Sequence, residues 1–260
     1  MLKVRIIPTL LWKNLGLVKG IGFDSWRRVG TIMPAVKVYN TRQVDELIVV
    51  DISATSEDRL PDFEEVREFS AECFVPLTVG GGIRNIEDIK QLLRAGADKV
   101  SINTAAFELP GLISDAAERF GSQCVVASID ARKNSNGSYR CFSRCGTLDT
   151  GREPSEWALE MERRGAGEIL ITSVDRDGSM KGYDIELIQL ITSRVRIPVI
   201  ASGGAGNYEH LFEAIDMGKA AAVAAASIFH FTEQTPLEAR NYLAARGIPV
   251  RDAKMVVPLS

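Results

Sequence analysis

Histidine is nearly missing from this chain: His210 and His230 are the only two, and they stand in separate segments. The four cysteines, Cys73, Cys124, Cys141 and Cys145, do not make up for this, because none lies at metal-ligand spacing from either histidine. A zinc site needs a compact set of such ligands and is not expected. No apolar run approaches the roughly 18 residues of a membrane-spanning helix. Basic residues are not in excess; the net charge of −3 argues against general nucleic-acid binding. No dinucleotide fingerprint is followed by an acidic ribose partner, so neither metal nor organic cofactor is expected. The start, "MLKVRIIPTLLWKN", is basic and then briefly apolar. It lacks the small-residue cleavage site of a secretory leader and reads as a first strand. Scattered cysteines without a leader fit a reducing cytoplasm.

What the chain does have is 45% hydrophobic and 25% charged residues, the proportions of a globular protein with a sizeable core. It also has a repeated phrase. "PLTVGGGI" (76–83) and "PVIASGGA" (198–205) each run an apolar segment into a glycine pair, 122 residues apart. At the same offset "ELIVVD" (46–51) falls on "EILITS" (168–173), and "GADKVSINTAA" (96–106) falls on "GKAAAVAAASI" (218–228). Three segments sharing one offset without a gap indicate a duplicated half of about 120 residues.

Strand-like runs occur at 4–10, 46–52, 75–79, 98–102, 124–130, 168–174, 197–201 and 220–225. Amphipathic, helix-like segments lie between most of them, among them 62–74, 85–96, 153–165 and 208–218. The first of these has Phe63, Val66, Phe69 and Phe74 on its apolar side. Such alternation predicts parallel strands with covering helices. Eight strands in this length give an α/β protein of the (β/α)₈ TIM-barrel class with a twofold half-barrel repeat. A doubly wound open sheet is the competing fold, though a twofold repeat closes more naturally into a ring. The run "KAAAVAAAS" also suits a helix; only the repeat makes it a strand. One domain over 1–260 is expected, with halves near 1–122 and 123–250 and a tail at 251–260.

The reactive face of such a barrel is the C-terminal end of its strands. Gly81, Gly82, Gly203 and Gly204 fall there, where backbone N–H groups can approach an anion with no side chain intervening. Asn103 and Thr104, and Ala226 and Ser227, end the next strand of each half and would complete two phosphate cradles. The plainer reading is that the glycines only permit tight turns. Their symmetric placement favours two phosphate pockets and an elongated ligand with a phosphate at each end. At the opposite face Arg5, Glu46, Lys99 and Glu168 start strands one, two, four and six with alternating sign. They read either as ordinary solvated charges or as a ring able to open onto the barrel axis.

"VGGGIRNIEDIKQLLRAGADKVSINTAA", "FGSQCVVASIDAR", "GAGEILITSVDRDGSMKGYD" and "IPVIASGGAGNYEHLFEA" together resemble the cyclase subunit of imidazole glycerol phosphate synthase, from residue 1 to about 250. The resemblance implies a half-barrel repeat, two phosphate sites and a glutaminase docked on the N-terminal face. It makes Arg5, Glu46, Lys99 and Glu168 a gate for ammonia. That ammonia would attack a bisphosphorylated ribulosyl aminoimidazole carboxamide to give imidazole glycerol phosphate. The family uses two aspartates across the mouth as acid and base. Asp130 matches one of them; Leu11, in "IIPTLLW", stands where the other belongs. Lys19, Asp51, Asp177 and Gly178 are retained on the active face. Cys145 replaces a usual serine, and "FDSWRRVGTIMP" (23–34) replaces a first-loop segment that normally reads "LRDAGDP". Paralogues with an "IP-LL-KN" start, an "R-VG" segment and "ECF-PL" are similar as well, here Ile7-Pro8, Leu10-Leu11, Lys13-Asn14, Arg28-Val29-Gly30 and 72–77. These imply a barrel that passes ammonia to a separate sugar amidotransferase in surface-polysaccharide synthesis. A barrel isomerase of a related pathway is the third reading, weakened by the complete set of gate charges.

Overall fold

Buried Val- and Ile-rich runs, apolar on both faces, favour parallel strands covered by helices. In the computed structural model, which describes residues 3–14 and 16–251, they form eight such strands. These are β1 Arg5–Lys13, β2 Leu47–Asp51, β3 Leu77–Gly80, β4 Lys99–Ile102, β5 Val125–Lys133, β6 Glu168–Ser173, β7 Val199–Ser202 and β8 Ala222–Ala225. Each pairs in parallel with its neighbour, and β8 returns to β1 with Arg5 opposite Ala222, so the sheet is a closed (β/α)₈ barrel. The alanine run is a strand. All eight expected strands are present; of the tail only Arg251 lies among the described residues.

Two apolar layers hold the barrel. The larger lies between the strands and helices such as Ile86–Arg94 and Pro154–Arg163, with Trp157, Phe69 and Leu92 fully buried. The smaller fills the axis: Ile7, Ile48, Val126, Leu170, Ile200, Ala222 and Ala224. Inward and outward residues alternate along each strand, as a pleated chain requires.

Two expectations need correction. The helix read over 62–74 ends at Ser70, and Phe74 is 80% exposed rather than on the packed face. Asp62 caps this helix through the Glu65 amide at 3.1 Å, and a turn carries the chain out toward Pro76. The repeat also slips by one residue. Asn85 and Asn207 cap equivalent helices at offset 122, whereas Lys99–Ile102 and Ala222–Ala225 correspond at 123. The left-handed position after the helix is Gly96 in one half and Lys219 in the other, so Gly218 is the inserted residue. Finally, the first loop after β1 has regular structure. It is an antiparallel hairpin, Gly16–Ile21 with Asp24–Gly30, and β5 carries a like excursion through Tyr139–Ser143 and Leu148–Asp149.

Candidate functional site

The C-terminal ends of the strands open into a cavity lined by residues of every barrel strand or of the loop that follows it. Leu11 and Asp130 stand across it, on opposite strands β1 and β5. Asp130 is 9% exposed and receives the Asn103 Nδ2 amide at 3.2 Å. Burial, assisted by the negative charge of Asp177, pushes its carboxyl up to about 7, against a smaller opposing pull from Arg132. A carboxyl poised there gives and takes protons near neutrality. Leu11, half-buried and in register with Val50, puts an apolar wall opposite it.

The two glycine pairs occupy matching places. Gly81 and Gly82 have φ of 102° and 72°; Gly203 and Gly204 have 89° and 110°. A Cβ on Gly81 would overlap the carbonyl oxygen of Asp51, and one on Gly203 that of Ser173, residues again related by the 122 offset. Only glycine fits either position. Asn103 and Ala226 share an unusual backbone, φ/ψ −111°/−83° and −127°/−67°, before the short helices Thr104–Glu108 and Ser227–Phe231. All eight residues expected to cradle phosphate line the cavity. The Asn103 side chain, however, is engaged by Asp130 and by the carbonyls of Ser128 and Phe142.

The hairpin after β1 arches over the mouth. Gly22 N–H donates to the Asp177 carbonyl at 3.0 Å, and Gly178 packs so closely on Gly20 that a side chain there has no room. Lys19, 3% exposed, donates to the Thr9 carbonyl at 3.0 Å. Burial lowers the Lys19 pKa against the raising effect of Asp177, and burial raises the Asp177 pKa against the lowering effect of Lys19. Asp51 plays a different part. It accepts from Ser53 N and Oγ, Ala54 N and the Arg59 guanidinium at 2.9–3.1 Å, which pins the loop after β2. Cys145 donates to the Ile52 carbonyl at 3.0 Å, and burial pushes its thiol up to about 11. It is a thiol, not a thiolate nucleophile.

At the other end of the axis the four charges form a closed ring. Arg5 bridges Glu46 and Glu168 at 2.7 Å each, and Lys99 bridges the same two at 2.8 and 3.0 Å. Thr78 Oγ1 adds a bond to Glu46 at 3.0 Å. Glu46 is 2% exposed, and its pairing offsets much of the cost of desolvation. Burial alone lowers the Arg5 pKa, but Glu168 and Glu46 more than reverse this and keep it a cation. These are not ordinary solvated charges.

The sequence reading named neither Phe23 nor Trp26, which the hairpin brings into the mouth, nor the hydroxyls of Thr9, Ser101, Ser128, Thr172 and Ser202. The signal for Thr9, Ser128 and Thr172 was available. Thr9 precedes Leu11 by two, Ser128 precedes Asp130 by two, and Thr172 lies opposite Asp130, so all share an inward face. Phe23 and Trp26 had no such signal, because the hairpin departs from the barrel's βα alternation. Among the described residues no cluster of three His, Cys, Asp or Glu could hold a metal ion.

Comparison with known proteins agrees with this architecture. The profile of the family described as "Histidine biosynthesis protein" matches residues 5–235. Relatives from two strains of Caulobacter vibrioides, each called imidazole glycerol phosphate synthase subunit HisF, are 51% identical over 252 residues, covering 96% of this chain and 97% of theirs. The chain therefore belongs to the histidine-biosynthesis protein family and, within it, to the HisF-like barrels.

Proposed function

We propose that this chain is the barrel component of a glutamine-dependent synthase. Ammonia from a glutaminase docked on the N-terminal face enters between Arg5, Glu46, Lys99 and Glu168, follows the axis and meets a bisphosphorylated ligand at the mouth. The observation that carries this is the closed ring of two cations and two anions beneath the narrow apolar axis. A packed barrel floor needs only apolar side chains; a self-neutralising ring suits a port for a small polar solute. Above the plug, the Thr9 hydroxyl is buried without a protein partner among the described residues. Arriving ammonia can supply one.

With HisF subunits as relatives, the ligand is the bisphosphorylated ribulosyl aminoimidazole carboxamide. Its phosphates rest on the two glycine cradles, held by backbone amides. Ammonia adds to the carbonyl carbon, water leaves, and ring closure releases imidazole glycerol phosphate and the carboxamide ribotide. With Leu11 unable to move a proton, the transfers fall on Asp130, whose pKa of about 7 lets it act in either direction.

Leu11 itself favours a second reading. A barrel that only delivers ammonia to a separate sugar amidotransferase has no need of an acid on β1. Glutamine-driven and ammonium-driven turnover of Lys99→Ala, assembled with a glutaminase, test the conduit common to both. Loss of the glutamine-driven reaction with the ammonium-driven one preserved is expected for the cyclase; equal effects on both would remove the gate from the account. For the delivery reading, the readout is amidotransferase product under the same two nitrogen sources.

A further inference from the structure

The two ends of the mouth are not electrically alike. Behind the first cradle lies a second cavity, sharing Thr55, Gly82, Ile83, Thr104 and Ala105 with the mouth, and Arg84 and Arg144 line it. Arg84 pairs with Asp58 at 2.9 Å and Arg144 with Glu108 at 2.6 Å. Both carboxylates lie on the same cavity, so its four charges balance. Asp58 is 94% exposed and Glu108 54%, and ion pairs this wet are weakly held.

Arg144 is also held in place at some cost. Arg144, Cys145 and Gly146 are consecutive left-handed residues, with φ of 50°, 57° and 77°. Two bonds maintain this turn: Arg144 N–H to Thr104 Oγ1 at 2.9 Å and Cys145 Sγ to the Ile52 carbonyl at 3.0 Å. Strain retained in this way is typical of ligand clamps. Among the described residues the second half arranges its charges differently: Arg176 lies beside Gly204, with no carboxylate-paired arginine in the place of Arg84. The counterpart of Arg84 is Gly206. Phe231, which ends its short helix as Glu108 ends the first, has Arg27 of the other hairpin 4.0 Å above its ring. There the hairpin's guanidinium stacks on an aromatic ring.

We propose that Arg84 and Arg144 form a clasp that leaves Asp58 and Glu108 to grip one ligand phosphate at the first cradle, while the second cradle holds its phosphate mainly by backbone amides. The proposal rests on the reading of the glycine cradles as phosphate sites. A dianionic phosphate outbids a solvated carboxylate, because it brings more charge and accepts the guanidinium's paired N–H groups. Binding at the first cradle is then the salt-sensitive half of ligand capture.

The test is a titration of the full chain with inorganic phosphate, followed by amide NMR shifts at Gly82 and Thr104 for the first cradle and at Gly204 and Ser227 for the second. In the unmodified protein both sets saturate, and added salt weakens the first more than the second. Arg144→Ala weakens the first about tenfold and leaves the second unchanged, so the second cradle also reports intact folding. Glu108→Gln frees Arg144 and tightens the first site about threefold, an outcome no purely structural role of the pair produces. Saturation at both cradles with Arg144→Ala and Glu108→Gln without effect overturns the clasp alone. Absence of saturable shifts at either cradle in the unmodified protein overturns the two-cradle reading, and the clasp with it.

Discussion

At the residue scale the proposed chemistry turns on Asp130 and Leu11. The Asp130 carboxyl has a folded pKa of about 7 against an ordinary 3.8. The folded state therefore holds this proton more tightly than the unfolded chain between those values. Stability is full below about pH 4 and is lost as pH rises through 7, by an amount on the order of 4 kcal/mol. Asp130→Asn removes that penalty. It is expected to raise the urea midpoint clearly at pH 8.5 and hardly at pH 4, while lowering ammonium-driven turnover by roughly a hundredfold. An equal gain at both pH values would mean that the buried charge is not the cause. Leu11→Asp supplies the absent carboxyl and is predicted to raise ammonium-driven turnover at least about tenfold; no gain would show that the mouth has been reshaped beyond this one residue. Both positions were legible in the sequence, because each sits at fixed phase on a strand beside a recognisable phrase. The carboxyl's partner was not: Asn103 was read as part of a phosphate cradle, and only the packing of β4 on β5 brings its amide to Asp130.

At the scale of elements, strands were easier to read than excursions. β8 is nearly all alanine and has no β-branched signature apart from Val223; the repeat, not propensity, identified it. The hairpin after β1 stayed hidden because its outer strand, Asp24–Gly30, is mostly exposed and carries no clear alternation. Its role is set by distant partners, Asp177 and Gly178, which no local pattern encodes. The floor ring shows the same dependence on long-range contact. Its four residues stand at or just before the starts of four strands, and each makes sense only when the barrel closes. Lys99→Ala leaves Glu46 buried with Arg5 and Thr78 as its remaining partners. The expected loss is about 1–3 kcal/mol in urea denaturation. No loss at all would mark the ring as loosely held at rest.

Closure is the property of the whole molecule. The start of β1 is held from distant parts of the chain: Val4 N–H, just before it, donates to the Pro249 carbonyl at 2.7 Å, and Ile6 N–H to Asp45 at 2.9 Å. Arg240, in the last helix, reaches Asp45 at 3.0 Å and the Gln43 carbonyl at 2.7 Å. Asp45 and Arg240 are 3% and 4% exposed, so Arg240→Ala leaves a buried carboxylate with the Ile6 amide but without its paired guanidinium and is predicted to cost about 3–5 kcal/mol. A ring whose halves are joined at β8–β1 and at β4–β5 is also expected to unfold in one transition; separate transitions for residues before and after about 122 would instead make the halves independent units. The proposed activity is a cyclase reaction run with Asp130 and no carboxyl at position 11. It is tested most directly by steady-state turnover of the purified chain with bisphosphorylated ribulosyl aminoimidazole carboxamide and ammonium salt, with no glutaminase present. Measurable turnover that Asp130→Asn lowers by roughly a hundredfold is the predicted result. No turnover while the ligand still binds would contradict it and leave the barrel a conduit.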